Sequence, residues 1–178
     1  WDRNGGLFGP NQAFADLAMR PTEIVRAIKG TGYLPAIGTL FTSMFLHGNL
    51  AHLISNMIFL STFGDDIEEA FGSFKFMLFY LFWGLFASLS HVLVLPHSSV
   101  PMLGASGAIG GILGAYFLLF PANVITLWVF FLEFDLAAWI LLGLWFLFQI
   151  LFPQEGVANW AHVGGFLAGM ITVLLLGG

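Results

Sequence analysis

Three polar sets interrupt an otherwise apolar chain, and each holds a group that could serve acyl transfer. Ser106 lies in Gly104-Ala105-Ser106-Gly107 at the head of an apolar run. His162 lies in Trp160-Ala161-His162-Val163-Gly164-Gly165 at the head of another. His52 and Asn56 stand four residues apart, and so on one face of a helix that carries both. A serine hydroxyl becomes nucleophilic when a base takes its proton, and imidazole is the usual base. His162 could take that proton and later return it to a leaving amine. Attack on a peptide carbonyl creates an oxyanion, to which His52, the Asn56 amide and the Ser106 backbone N–H could donate.

A blander reading competes. Ser106 could be a small residue at a close helix contact of the kind that GxxxG pairs produce. Gly107 with Gly111, Gly110 with Gly114, and Gly165 with Gly169 are such pairs. The same pairs would let the two helices touch, which a direct Ser106–His162 hydrogen bond requires. His47 stands five residues before His52, on a different face of a shared helix, and reads as structural. His91 and His97, near a loop, read the same way. A metal on His47, His52 and His162 would lack a carboxylate partner, so neither metal nor cofactor is expected.

These residues need a membrane to hold them. The chain has 178 residues, 58% hydrophobic and 8% charged, with a mean hydropathy of +0.91. Soluble domains carry about 25% charged residues. The composition is that of an all-α polytopic membrane protein. Net charge is -5 with no basic cluster, so a nucleic-acid partner is not expected. Cysteine is absent, which excludes disulfides and cysteine nucleophiles.

Five spans are predicted, over about 39–63, 74–95, 104–120, 136–152 and 158–176. An acidic loop over 64–73 holds Asp65, Asp66, Glu68 and Glu69. Residues 124–134 read as an interfacial or extended segment. Residues 1–38 form no span; Gly5-Gly6, Gly9-Pro10, Pro21, Gly30, Gly32 and Pro35 punctuate them. The piece over 22–29 sets Ile24, Val25 and Ile28 against Glu23, Arg26 and Lys29. It suits an interfacial helix or a solvated loop. The chain thus divides into an interfacial segment, 1–38, and a single membrane domain, 39–178. Spans one, three and five run the same way, so Ser106 and His162 share a leaflet, whereas His52 falls three to four turns into its span. Four of the five basic residues precede the first span, a bias toward a cytoplasmic N-terminal segment. A channel or transporter would need ionisable groups at mid-bilayer along a path, and spans two, three and five offer little of that kind.

Together the motifs resemble those of the rhomboid family of intramembrane serine proteases. The run from His47 to Asn56, with His52 between, resembles the family's His-x4-His-x3-Asn helix. Gly104-Ala105-Ser106-Gly107 resembles its GxSG serine motif, and Ala161-His162-Val163-Gly164-Gly165 its AHxxG histidine motif. Glu68 and Gly72 resemble its ExxxG loop. The resemblance implies a rhomboid-like bundle with a six-helix core and a Ser106–His162 dyad that hydrolyses transmembrane protein substrates among membrane lipids, in a cell membrane. His52 and Asn56 would surround the oxyanion; His47, Gly104, Gly107, Glu68, Gly72 and Gly165 would be structural. The fourth span and the loop over 153–159 would act as gate and cap. A catalytically inactive rhomboid-fold protein that binds transmembrane clients is the alternative. With five spans, the family's first helix is expected upstream of Trp1, which makes residues 1–38 the extracytoplasmic first loop, against the basic-residue bias. The Trp-Arg pair often found in that loop is absent. Some members place an aromatic one turn after the serine to stack on the histidine; here Gly110 stands there, which leaves the orientation of His162 open.

Overall fold

The computed structural model describes residues 16–129 and 131–177. The breaks expected at Gly5-Gly6 and Gly9-Pro10 lie outside the described residues. The architecture is an all-α membrane bundle with one small hairpin. Helix α1 spans Pro21–Ile28, and short helical turns follow over Leu34–Phe45. Five long helices come next: α2 over Leu50–Phe71, α3 over Ser73–Val94, α4 over Ser106–Leu119, α5 over Ala138–Leu151 and α6 over Asn159–Leu176. Strands β1, Val124–Val129, and β2, Leu132–Ala137, form an antiparallel hairpin between α4 and α5. The expected extended segment is therefore paired rather than single. Thr126 donates to Asp135 across it at 2.8 Å.

The first span needs correction. It was expected over 39–63, but the continuous helix starts at Leu50 and runs to Phe71. Asn49 caps it, its side chain accepting the His52 N–H at 2.8 Å. The acidic stretch is the last two turns of this helix, not a loop. Charge marks where a chain leaves hydrocarbon, but nothing over 64–71 breaks a helix. The break comes at Gly72, whose φ of +79° favours glycine and whose N–H reaches the Glu68 carbonyl at 2.7 Å. Asp66 turns inward and accepts from the Tyr116 hydroxyl at 2.8 Å, while Asn123 donates to that hydroxyl at 3.0 Å. Tyr116→Phe removes a hydrogen bond to a carboxylate, so chemical or thermal unfolding is expected to show a loss of about 1.5–3 kcal/mol.

The late start of α2 puts His52 in its first turn, level with the heads of α4 and α6. Helix α4 is the centre of the bundle, buried from Gly107 to Tyr116. A helix apolar all round belongs in such a place. Its 14 residues rise about 21 Å, short of the roughly 30 Å hydrocarbon core. Outer helices expose large apolar side chains instead, such as Phe74, Phe82 and Phe86 on α3 and Leu174 to Leu176 on α6. That outward apolar surface suits lipid. Only α3 and α6 are long and apolar enough to qualify as spans individually among the described residues. Trp83 of α3, fully buried, ties the two together by donating to Thr172 at 2.9 Å.

The segment before α2 is packed in part, while residues 28–35 are exposed. Helix α1 buries Pro21, Ile24 and Ala27 while Ile28 faces outward. Met19 and Met102 exchange backbone hydrogen bonds at 2.7 and 3.0 Å, which pins this segment to the strand of chain that leads into Gly104.

Candidate active site

Close approach of α4 and α6 decides the geometry. A Cβ on Gly110 would meet the His162 carbonyl oxygen at 2.9 Å, and one on Gly165 would run into the Gly107 carbonyl. Side chains at these points would hold the helices apart. Without them, Ser106 at the head of α4 and His162 in the first turn of α6 come together, with Ser106 Oγ 2.8 Å from His162 Nε2. His162 is 9% exposed. Its Nδ1 lies 2.8 Å from Oε1 of Gln149 on α5, itself 7% exposed. Trp145, one turn earlier on α5, sets its ring over the imidazole with centroids 5.8 Å apart and planes 34° apart. The aromatic missing at Gly110 is thus supplied from another helix.

Gly104, His52 and Asn56 converge on the same place, whereas Glu68 and Gly72 lie at the far end of α2. Gly104 has a φ of +124°, and a Cβ there would lie 2.8 Å from His52 Cε1 and Nε2. Its N–H is held by the Ser43 carbonyl at 2.9 Å. Glycine is needed twice over: for the backbone angle and for the approach of His52. Asn56 is 5% exposed, and its Nδ2 meets no acceptor among the described residues. A buried amide donor left free calls for a partner. The N–H groups of the first turn of α4 also lack intrahelical acceptors and carry the positive end of the helix dipole. Ser106, His162, His52 and Asn56 line one cavity of about 660 Å³, with Trp145 and residues 154 and 156–158 on its walls.

The placement of His47 differs from expectation. His47 does not share a helix with His52; it lies in the turn before α2, its ring edge-on to His52 at 5.3 Å and 73°. The late helix start brings the two together. Burial, then the neighbouring His52, lowers the His47 pKa. His91, expected to be structural near a loop, is buried on the cavity wall.

Gln149, Trp145 and Asn159 were not legible as site residues. Asn159 donates from Nδ2 to Gln149 Oε1 at 2.9 Å and accepts the Gln154 N–H on Oδ1 at 3.1 Å. Gln149 did leave a signal: it is the lone carboxamide in the apolar helix Ala138–Leu151. A polar side chain at such a position is costly unless it has work to do.

A family model described as "Rhomboid domain" matches residues 36–178. The chain is similar to RHOMBOID-like protein 6, mitochondrial, of Arabidopsis thaliana, at 34% identity over 77% of this chain and 43% of that protein. It is similar to Rhomboid protease GluP of Bacillus subtilis at 31% identity over 78% of this chain and 26% of the relative. Rhomboid-like protein 11, chloroplastic, of Arabidopsis thaliana is 46% identical over 49% of this chain and 32% of its own length. The chain therefore spans less than half the length of these relatives. Their mitochondrial and chloroplastic names remove any preference for the cell membrane.

Proposed function

The chain belongs to the rhomboid family, and from that premise we propose that it is an intramembrane serine endopeptidase acting on transmembrane proteins. The observation that carries this reading is the 2.8 Å hydrogen bond between Ser106 Oγ, which is partly buried, and His162 Nε2, in the cavity that also holds His52 and Asn56. Rhomboid relatives named as proteases support hydrolase chemistry for the family.

In the proposed reaction His162 Nε2 takes the Ser106 proton as Oγ bonds to the scissile carbonyl carbon. His52, Asn56 Nδ2 and the Ser106 N–H donate to the oxyanion. The intermediate collapses, the C–N bond breaks, and the amine leaves with the proton from Nε2. Water then gives a proton to Nε2 as its oxygen bonds to the acyl carbon; the C–Oγ bond breaks, Nε2 returns the proton to Oγ, and the acid leaves with Ser106 and His162 restored. Helix α5 and the loop over 153–159, which border the cavity, are proposed as gate and cap. Residues 39–178 are proposed as the protease domain.

Purified protein is expected to react covalently with a fluorophosphonate probe, and Ser106→Ala and His162→Ala to abolish labelling. Labelling that persists in Ser106→Ala sinks the reading. An unlabelled wild type that still retains transmembrane clients selects the inactive binding protein instead. His52→Ala and Asn56→Ala each remove one oxyanion donor. Each is expected to lower kcat about 10²- to 10³-fold with a smaller change in KM. An unchanged kcat in both would remove them from the oxyanion site.

A further inference from the structure

We propose that Asn159 and Gln149 form a polar relay that sets the tautomer of His162, making Gln149 a positioning residue for the base. The inference rests on the protease reading for its consequence, but its first step stands on hydrogen-bond direction alone.

The direction is fixed at one end by a group with no choice. The Gln154 backbone N–H can only donate, and it lies 3.1 Å from Asn159 Oδ1. That contact assigns the Asn159 amide: oxygen toward Gln154, nitrogen toward Gln149. Asn159 Nδ2 then donates to Gln149 at 2.9 Å, so the Gln149 atom facing it is Oε1. The same Oε1 faces His162 Nδ1 at 2.8 Å. An oxygen cannot donate, so Nδ1 carries the proton. A neutral imidazole with Nδ1–H has a bare Nε2, and Nε2 is the nitrogen 2.8 Å from Ser106 Oγ. The four hydrogen bonds therefore converge on Gln149 Oε1: two lead to it from the Gln154 backbone amide through Asn159, and two from the Ser106 hydroxyl through His162, which leaves Nε2 as the acceptor of the serine proton.

Burial makes the assignment firm. Gln149 is 7% and Asn159 4% exposed, so neither amide can turn over without leaving donors face to face. The relay also ties the base to two separate elements. Gln149 and Trp145 come from α5, which buries only Ala138 and Leu142 besides Gln149. Asn159 opens α6 and holds the loop that precedes it. Orientation of the base thus depends on α5 lying against α6.

The decisive variant is nearly isosteric. In Asn159→Asp the oxygen facing Gln154 still accepts, but the atom facing Gln149 is now an acceptor too. Gln149 is driven to turn its NH2 inward, donating to residue 159 and to His162 Nδ1. The imidazole proton then moves to Nε2, where it points at Ser106 and cannot accept. Histidine-15N-labelled protein in detergent micelles is expected to show His162 as the Nδ1–H tautomer in the wild type and Nε2–H in N159D. Fluorophosphonate labelling of N159D is expected to fall on the order of 10³- to 10⁴-fold, the scale of a wrong tautomer in a charged triad. Gln149→Glu keeps an acceptor toward both neighbours and should retain Nδ1–H and most labelling, whereas Gln149→Leu should lose both. Nδ1–H kept in N159D, or equal losses in Q149E and Q149L, overturns the relay. A wild type that shows Nδ1–H yet never labels would sink the protease reading and leave the relay standing.

Discussion

The double variant S106A/H162A is expected to lose no more activity than S106A alone. Each single change should lower kcat on the order of 10⁴- to 10⁶-fold, as when one member of a coupled nucleophile and base is removed. Their costs should not add. His162 has one proposed task at Nε2, to receive the Ser106 proton across 2.8 Å. Once S106A has removed the hydroxyl there is no proton to receive, so removing the imidazole takes away nothing further. What remains would come from the oxyanion donors on α2 and the head of α4, which neither change touches. The measurement is turnover of a transmembrane substrate in proteoliposomes by the four proteins of the cycle. Additive losses would mean that the two side chains act separately, and would overturn the dyad despite its short hydrogen bond.

Much of this site was legible because its chemistry sits at helix heads that sequence marks clearly. Glycine-rich runs beside Ser106 and His162 announced both residues and the means of bringing them together. Two features hid the rest. The start of α2 was obscured because 39–49 is apolar enough to read as span, while only the Asn49 cap shows where the helix begins. That error displaced His52 by three turns and put His47 on the wrong element. Gln149 was obscured differently. Its partners His162 and Asn159 lie 13 and 10 residues away on another helix. No periodicity within Ala138–Leu151 could say which way its amide faced. Local signals fix a helix and its ends; which lone polar group meets which is decided by packing between helices.

That packing yields the second large prediction, a reversal of sign between two glycines. Gly143 lies inside α5, and a Cβ there would meet Phe117 at 3.6 Å, an ordinary contact. Gly143→Ala should be neutral or stabilise by up to about 1 kcal/mol, the gain from helix propensity. Gly165 lies inside α6 one turn below His162. A Cβ there would lie 3.1 Å from the Gly107 carbonyl carbon and closer still to its oxygen. Backbone cannot step aside as a side chain can, so the helices must separate. The contact is reciprocal: Gly107 and Gly111 present carbonyls to Gly165 and Gly169, while His162 and Phe166 present theirs to Gly110 and Gly114. Relief at one rung therefore strains the next. Gly165→Ala should cost about 1–3 kcal/mol through overpacking, more than the propensity gain returns. Its effect on labelling should be larger than on melting, because a shift near 1 Å between reacting groups can cost about 10²-fold in rate. Thermal unfolding in detergent and fluorophosphonate labelling, measured on both variants, separate the terms. Equal stability and equal rates for G165A and G143A would show that the ladder of small residues does not hold Ser106 against His162.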